Sequence, residues 1–180
     1  SIFPHGLAGF GGGGKLVLPG ISGMDTIDHH HKNVTENAGF DRVDDNTFRL
    51  DVEEAARMAG LDFKVDAVLN NNRAVVGLFA GDLVAEHRAG VKLARDVYST
   101  ETVGEADIVV SNSYPDESQI TRATWVVPPS LKEGGEVVLI SHSHEGSNFH
   151  QWMARFGTEY GGRGYTSIRL AANLEKASRT

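Results

Sequence analysis

The stretch that decides the fold is residues 51–98, DVEEAARMAGLDFKVDAVLNNNRAVVGLFAGDLVAEHRAGVKLARDVY. Asp51 followed by Glu54 has the spacing of a helix start, with the second carboxylate able to reach back to an orphan backbone donor. Val52, Ala55, Ala56 and Ala59 give a narrow apolar face, and Gly60 ends the helix. Phe63 to Leu69 reads as a strand. Asn70, Asn71 and Asn72 make a turn before a second strand from Ala74 to Ala80, so a hairpin is expected. Leu83 to Tyr98 returns to helical spacing, with Val84, Val91, Ala94 and Val97 available for packing and Gly90 as a local weak point.

Outward from this stretch the alternation continues. Ala106 to Val110 reads as a short buried strand, Ser118 to Val127 as a helix stopped by Pro128-Pro129, Glu136 to Ser141 as a strand and Asn148 to Phe156 as a helix. On the amino side, PHGLAGFGGGGKLVLPG is a loop until Leu16-Val17-Leu18, a short strand candidate. Asp25 or Thr26 starts a turn or short helix leading to His29-His30-His31, and most of 32–46 is loop. Short strands among longer helices predict an α/β layered domain, a mixed sheet with flanking helices of Rossmann-like type. Residues 1–156 read as one main domain. Gly161-Gly162-Arg163-Gly164 opens an uncertain tail at 157–180, with Ile168 to Leu174 as a modest helix or strand.

Composition narrows the function. A hydrophobic fraction of 40% fits a soluble globular chain. Lys and Arg total 17 against 24 Asp and Glu, a formal charge of -7, and the basic residues form no run, which argues against nucleic acid as a partner. No apolar stretch is long enough to cross a bilayer and no secretory signal is visible, so the expected location is cytoplasmic, with no membrane partner. Cysteine is absent, which removes disulfides, thiolate metal sites and a cysteine nucleophile. A metal would be held by histidine, carboxylate, backbone oxygen or an atom of a cofactor. Because the chain runs directly into its glycine loop, it reads as a fragment of a longer enzyme.

Gly9-Phe10-Gly11-Gly12-Gly13-Gly14-Lys15 nearly satisfies the phosphate-loop pattern, but Leu16 stands where the magnesium-facing hydroxyl belongs and Pro19 where the helix should begin. Conventional nucleotide hydrolysis is therefore disfavoured. Glycines such as Gly13 and Gly14 let backbone donors approach an anion or cofactor, and Lys15 can bind an anion or form a covalent attachment. The alternative is a flexible surface loop with an exposed Lys15. His5 can exchange a proton near neutral pH or serve structurally. Of the histidines at 29–31, one ligand beside two capping or surface residues is physically easier than three ligands. His142 and His144 share a strand face without a recognisable third ligand.

The order of these motifs resembles the nickel-dependent lactate racemase family. His5, the AGFGGGGKLVLPG loop, Thr26-Ile27 and His31 are similar to its central part. DVEEAARMAGLDFKVDAVLN, AGDLVAEHRAGV, SYPDESQ and the HEG segment are similar to its carboxyl-side domain. The resemblance covers nearly all of Phe3 to Phe156. It implies a nickel-pincer nucleotide, a pyridinium thioamide/thiocarboxylate mononucleotide whose sulfurs and ring carbon hold nickel. Lys15 would be its thioamide tether, His31 the protein ligand to nickel, and His5 one of two acid–base histidines. The implied reaction racemises or epimerises a small 2-hydroxy acid or sugar acid by reversible hydride transfer. Gln119 matches a substrate-side position, and Arg122 stands where the family usually has lysine, which changes the carboxylate-binding geometry. On this reading the chain is a carboxyl-side fragment, inactive alone, and its partner is a missing amino-terminal domain that supplies the second histidine.

Two competing readings remain open. One is a noncatalytic anion- or nucleotide-binding domain that keeps the loop. The other is a structural interaction domain, in which Lys15 and His31 point apart.

Overall fold

The computed structural model describes residues 1–32, 37–114 and 120–142. The chain divides into two compact units, residues 1–100 and 101–180.

In the first unit, β1 (Pro4–His5) pairs antiparallel with β2 (Gly9–Phe10), bringing His5 opposite Gly9. A single 3₁₀ turn, Gly13–Leu16, follows, then α1 (Met24–Lys32), α2 (Thr47–Met58), β3 (Lys64–Leu69), β4 (Val75–Gly81) and α3 (Ala85–Tyr98). The expected hairpin is present: β3 and β4 pair antiparallel from Lys64 opposite Gly81 to Leu69 opposite Val75. Its turn is held by the Asn70 side chain, whose oxygen accepts from the Asn72 and Ala74 amides at 2.9 and 3.0 Å. This is the local hydrogen bonding that makes asparagine a turn residue.

Two apolar clusters hold the unit. Ile2, Phe10, Val43, Val68, Val91 and Ala94 form one, joining the amino-terminal strands to the hairpin and α3. Ala8, Leu18, Phe48 and Val52 form the other, between the glycine run and α2.

The second unit contains β5 (Ala106–Asn112), α4 (Ile120–Ala123) and β6 (Leu131–Ile140). β5 and β6 are parallel, Val109 opposite Val137 and Ser111 opposite Leu139. Parallel neighbours need a crossover, and α4 lies in it. Val127 and Leu131 are buried there against Val109 and Val137.

The architecture is α/β, with open two-stranded sheets of both pairing senses alternating with helices, consistent with the Rossmann-like layering expected from the pattern. Several local expectations change. The helix expected over Ser118–Val127 is, among the described residues, α4 at Ile120–Ala123 followed by turns, because the Trp125 and Val127 amides bond three residues back, to Arg122 and Thr124. The strand at Ala106 is largely exposed rather than buried, since the second unit covers little of it among the described residues. α2 begins at Thr47 rather than Asp51, because Asn46 caps it by accepting the Arg49 amide at 3.1 Å. Its other end closes as expected: Gly60, at φ 79, follows the last turn, and the Gly60 and Leu61 amides return to Arg57 and Ala56. Leu16-Val17-Leu18 is turn rather than strand, because the Val17 and Leu18 amides are spent on the Gly14 carbonyl at 2.9 and 3.2 Å. β6 starts at Leu131, five residues before the expected Glu136. The helix expected at Asn148 to Phe156, the HEG segment and the tail at 157–180 lie outside the described residues.

Candidate functional site

The glycine run is shaped from beneath by buried polar side chains. Arg49 is fully buried and donates to three carbonyls of the run: Nε to Ala8 at 3.2 Å, Nη1 to Gly12 at 3.1 Å and Nη2 to Phe10. Burial lowers its guanidinium to about 10, which leaves it a cation at neutral pH. His87, also fully buried, donates from Nε2 to the Gly11 carbonyl at 2.9 Å. Desolvation, reinforced by the Arg49 charge, drives the His87 pKa down to about 3, so the ring is a neutral structural donor.

From the other side the Gly13 amide donates to Asp66 at 2.7 Å. Burial works to raise the Asp66 carboxyl, but Lys64 and the Gly13 amide hold it below the ordinary carboxylate value. The neighbouring Glu86 is raised to about 7 by burial and by the Asp66 charge.

The missing Cβ atoms make room for the protein itself. A Cβ at Gly14 would lie 2.8 Å from both Ala56 Cβ and the Val52 carbonyl, and one at Gly12 2.7 Å from Asp66 Oδ2. Gly13 is held at φ 60 with Arg49 and His87 3.1 Å from its absent Cβ. The run is therefore a packed turn seated on α2, and it delivers Lys15, part-buried, at a defined place.

That place is the ring of Phe48. Lys15 Nζ lies 5.4 Å from its centroid, the His31 ring 5.3 Å and the His30 ring 3.8 Å. The residues proposed from sequence as tether and metal ligand thus share one aromatic neighbour.

Within the histidine run the three side chains differ. His29 is exposed while His30 and His31 are buried. His31 Nδ1 lies 2.8 Å from the Ile27 carbonyl one turn earlier on α1. A carbonyl only accepts, so Nδ1 carries the proton and Nε2 the lone pair, the tautomer a metal-ligating imidazole requires. His30 Nδ1 is bonded to Asp51 of α2. Burial lowers the His30 pKa, against the opposing effect of Asp51, which keeps the ring neutral. Among the described residues no group of three or more His, Asp or Glu side chains is placed to hold a metal ion. One histidine is compatible with a metal whose remaining donors come from a cofactor.

His5 is buried on β1, and its Nδ1 accepts from the Leu7 and Ala8 amides at 3.2 and 3.1 Å. The proton of the neutral ring is therefore on Nε2. Arg122 belongs to the second unit, on α4, with its guanidinium 6.0 Å from the Trp125 ring centroid. Gln119 and His144 lie outside the described residues. Sequence reading missed Arg49, His87, Asp66 and the Asp51–His30 pair. Arg49 carried a signal, since it shares a helix stripe with Val52 and Ala56, where a cation is out of place unless paired.

Comparison with known proteins bears on these residues directly. A family model described as the lactate racemase N-terminal domain matches residues 1–41. This overturns the expectation of a carboxyl-side fragment whose amino-terminal domain is missing: the segment carrying His5, Lys15 and His31 falls inside the match to the amino-terminal-domain model. Packing explains the misassignment, because Ile2 and Phe10 are buried with Val68 and Val91, so no break in the core marks a boundary behind the loop.

The chain is 32% identical over 164 residues to a lactate racemase of Lactiplantibacillus plantarum, covering 85% of this chain and 38% of that protein. It is 29% identical over 165 residues to a lactate racemase of Thermoanaerobacterium thermosaccharolyticum, again covering 38% of it. The solved lactate racemase apoprotein of the latter organism has the same fold, with a TM-score of 0.71 at 23% identity over 98% of this chain and 46% of that one. A protein from Thermotoga maritima shares the fold at a TM-score of 0.59 and 18% identity, over 98% of this chain and 48% of that one. The chain thus spans well under half the length of the lactate racemases to which most of its own length is similar.

Proposed function

We propose that this chain is the cofactor-bearing part of an isomerase that racemises or epimerises a small 2-hydroxy acid or sugar acid with a nickel-pincer nucleotide. The observation that supports it most is the convergence of Lys15 Nζ and the His31 imidazole on the Phe48 ring. The tautomer imposed on His31 by the Ile27 carbonyl is the second support.

When bound, the nucleotide would supply a reversible hydride acceptor. The chain supplies placement and proton handling. Lys15 holds the nucleotide as its thioamide tether, and His31 Nε2 is the protein's ligand to nickel. Gly13 and Gly14 shape the turn that presents Lys15. His5, with Nδ1 occupied by two backbone amides, presents Nε2–H and is set to return a proton to the substrate oxygen. Arg122, and Gln119 by its place in the sequence motif, are assigned to binding the substrate carboxylate, an arginine through two donors. The Gly13 amide is already held by Asp66, which weakens the reading of the loop as a simple anion cradle.

The test is intact-protein mass spectrometry with metal analysis of the full-length protein, coexpressed with cofactor biosynthesis and nickel. The expected result is an adduct at Lys15 with bound nickel, and absence of both overturns the proposal. His31→Ala should lower nickel retention while the adduct persists. His5→Ala should keep adduct and nickel but slow turnover by on the order of 100-fold.

A further inference from the structure

The tether and ligand assignments leave His30 unused. Its ring is 3% exposed and stacks on Phe48 at 3.8 Å, edge-on to His31 at 5.3 Å. Nδ1 faces the Asp51 carboxylate, which can only accept, so Nδ1 carries the proton. Nε2, on the opposite edge, is then an acceptor. It is buried and has no hydrogen-bond partner among the described residues. Proteins rarely leave such an atom unpartnered unless something else supplies the donor.

The surroundings limit the choice. The Phe48 side chain has no donor to offer. Lys15 Nζ stands over the same ring, near enough for its charge to act on His30. When Lys15 is joined through a thioamide, its nitrogen loses its charge and keeps a single, planar N–H, one donor for one acceptor.

We infer that His30 is a positioning residue for the bound cofactor: its Nε2 accepts the N–H of the Lys15 thioamide, while Asp51 holds the ring in the tautomer that makes this possible. The inference rests on the Lys15 tether proposed above. Its consequence is orientational. A hydrogen bond at the tether nitrogen fixes the plane of the attached ring relative to the adjacent His31.

The experiment uses the full-length protein loaded as above, with lysine labelled by nitrogen-15 at Nζ. It reads the solvent-exchange rate of the tether N–H by NMR, nickel loss to a chelator and adduct mass. His30→Leu removes the acceptor and should speed exchange about tenfold, the factor a single net hydrogen bond carries. His30→Gln restores an acceptor and should stay within about twofold of the parent. Asp51→Asn is the sharper variant, a nearly isosteric change at a half-exposed position. Its amide can donate to Nδ1 and force the proton onto Nε2, setting donor against donor. It should speed exchange at least as much as His30→Leu, and both variants should lose nickel about 10-fold to 100-fold faster. Unchanged exchange in His30→Leu and Asp51→Asn, with the adduct intact, overturns the inference and leaves the function standing. Absence of an adduct in the parent protein overturns the function itself.

Discussion

Arg49 carries more of the local structure than its neighbours. Its donors reach the carbonyls of Ala8, Phe10 and Gly12 from a position with no solvent contact. Arg49→Met keeps much of the volume but leaves buried acceptors without partners, each worth about 1–3 kcal/mol. We expect a loss of about 3–5 kcal/mol in urea unfolding at neutral pH, together with poorer attachment at Lys15. Lysine should restore only part of this, because it lacks the fork that reaches several carbonyls at once. At this scale the reactive residue types were legible in the sequence and the buried side chains that support them were not. His5, Lys15 and His31 stand out as reactive types beside a glycine run. With the helix begun at Asp51, Arg49 fell outside it, and its place on the stripe of Val52 and Ala56 went unread.

At the scale of elements, the glycines separate two kinds of cost. Gly60 has φ 79 and nothing within 4 Å of where a Cβ would stand. Gly60→Ala should cost only the left-handed backbone penalty, about 1 kcal/mol, with no effect on Lys15. Gly14 is different, since a Cβ there meets α2 at 2.8 Å. Gly14→Ala must push the turn off the helix, and we expect about 1–3 kcal/mol of destabilisation with a reduced adduct fraction. Thermal unfolding and intact mass, measured on both variants, distinguish the cases. The hairpin and α3 were readable because alternation, an asparagine turn and helical spacing agreed. The Leu16–Leu18 segment was not, because three apolar residues in a row look alike whether they pair as a strand or are folded into a turn by neighbouring glycines.

At the scale of the whole molecule, two adjacent residues oppose each other in their response to acid. His87 is lowered from 6.5 to about 3, so the unfolded chain binds its proton first and stability falls as pH drops through that window. Glu86 is raised from 4.5 to about 7, so the folded chain binds its proton first and stability rises as pH drops from 7 to 4.5. Between pH 6.5 and 4.5 the two largely cancel, and below 4.5 only the His87 loss continues, at up to about 1.4 kcal/mol per pH unit. Urea midpoints should therefore fall gently between pH 6.5 and 4.5, where the lowered His30 adds a loss that Glu86 does not offset, and more steeply below pH 4.5. Glu86→Gln should move the onset of the steep fall up toward pH 6.5. The domain assignment was the least legible feature at this scale. Motif order carried the resemblance, yet nothing in residues 1–41 announces which domain model they match. Among the described residues no helix is long and apolar enough to cross a membrane.

Phe48 and Arg49 are consecutive on one helical turn, the first beneath the amine and the imidazoles, the second gripping the loop that carries the amine. The loop that bears the amine and the ring beside the imidazoles therefore meet at the same short piece of backbone. On the proposed roles, a shift of that piece would move the footing of tether and ligand together rather than one at a time. The arrangement behaves like an optical mount with both components on one rail, tolerant of a moving bench.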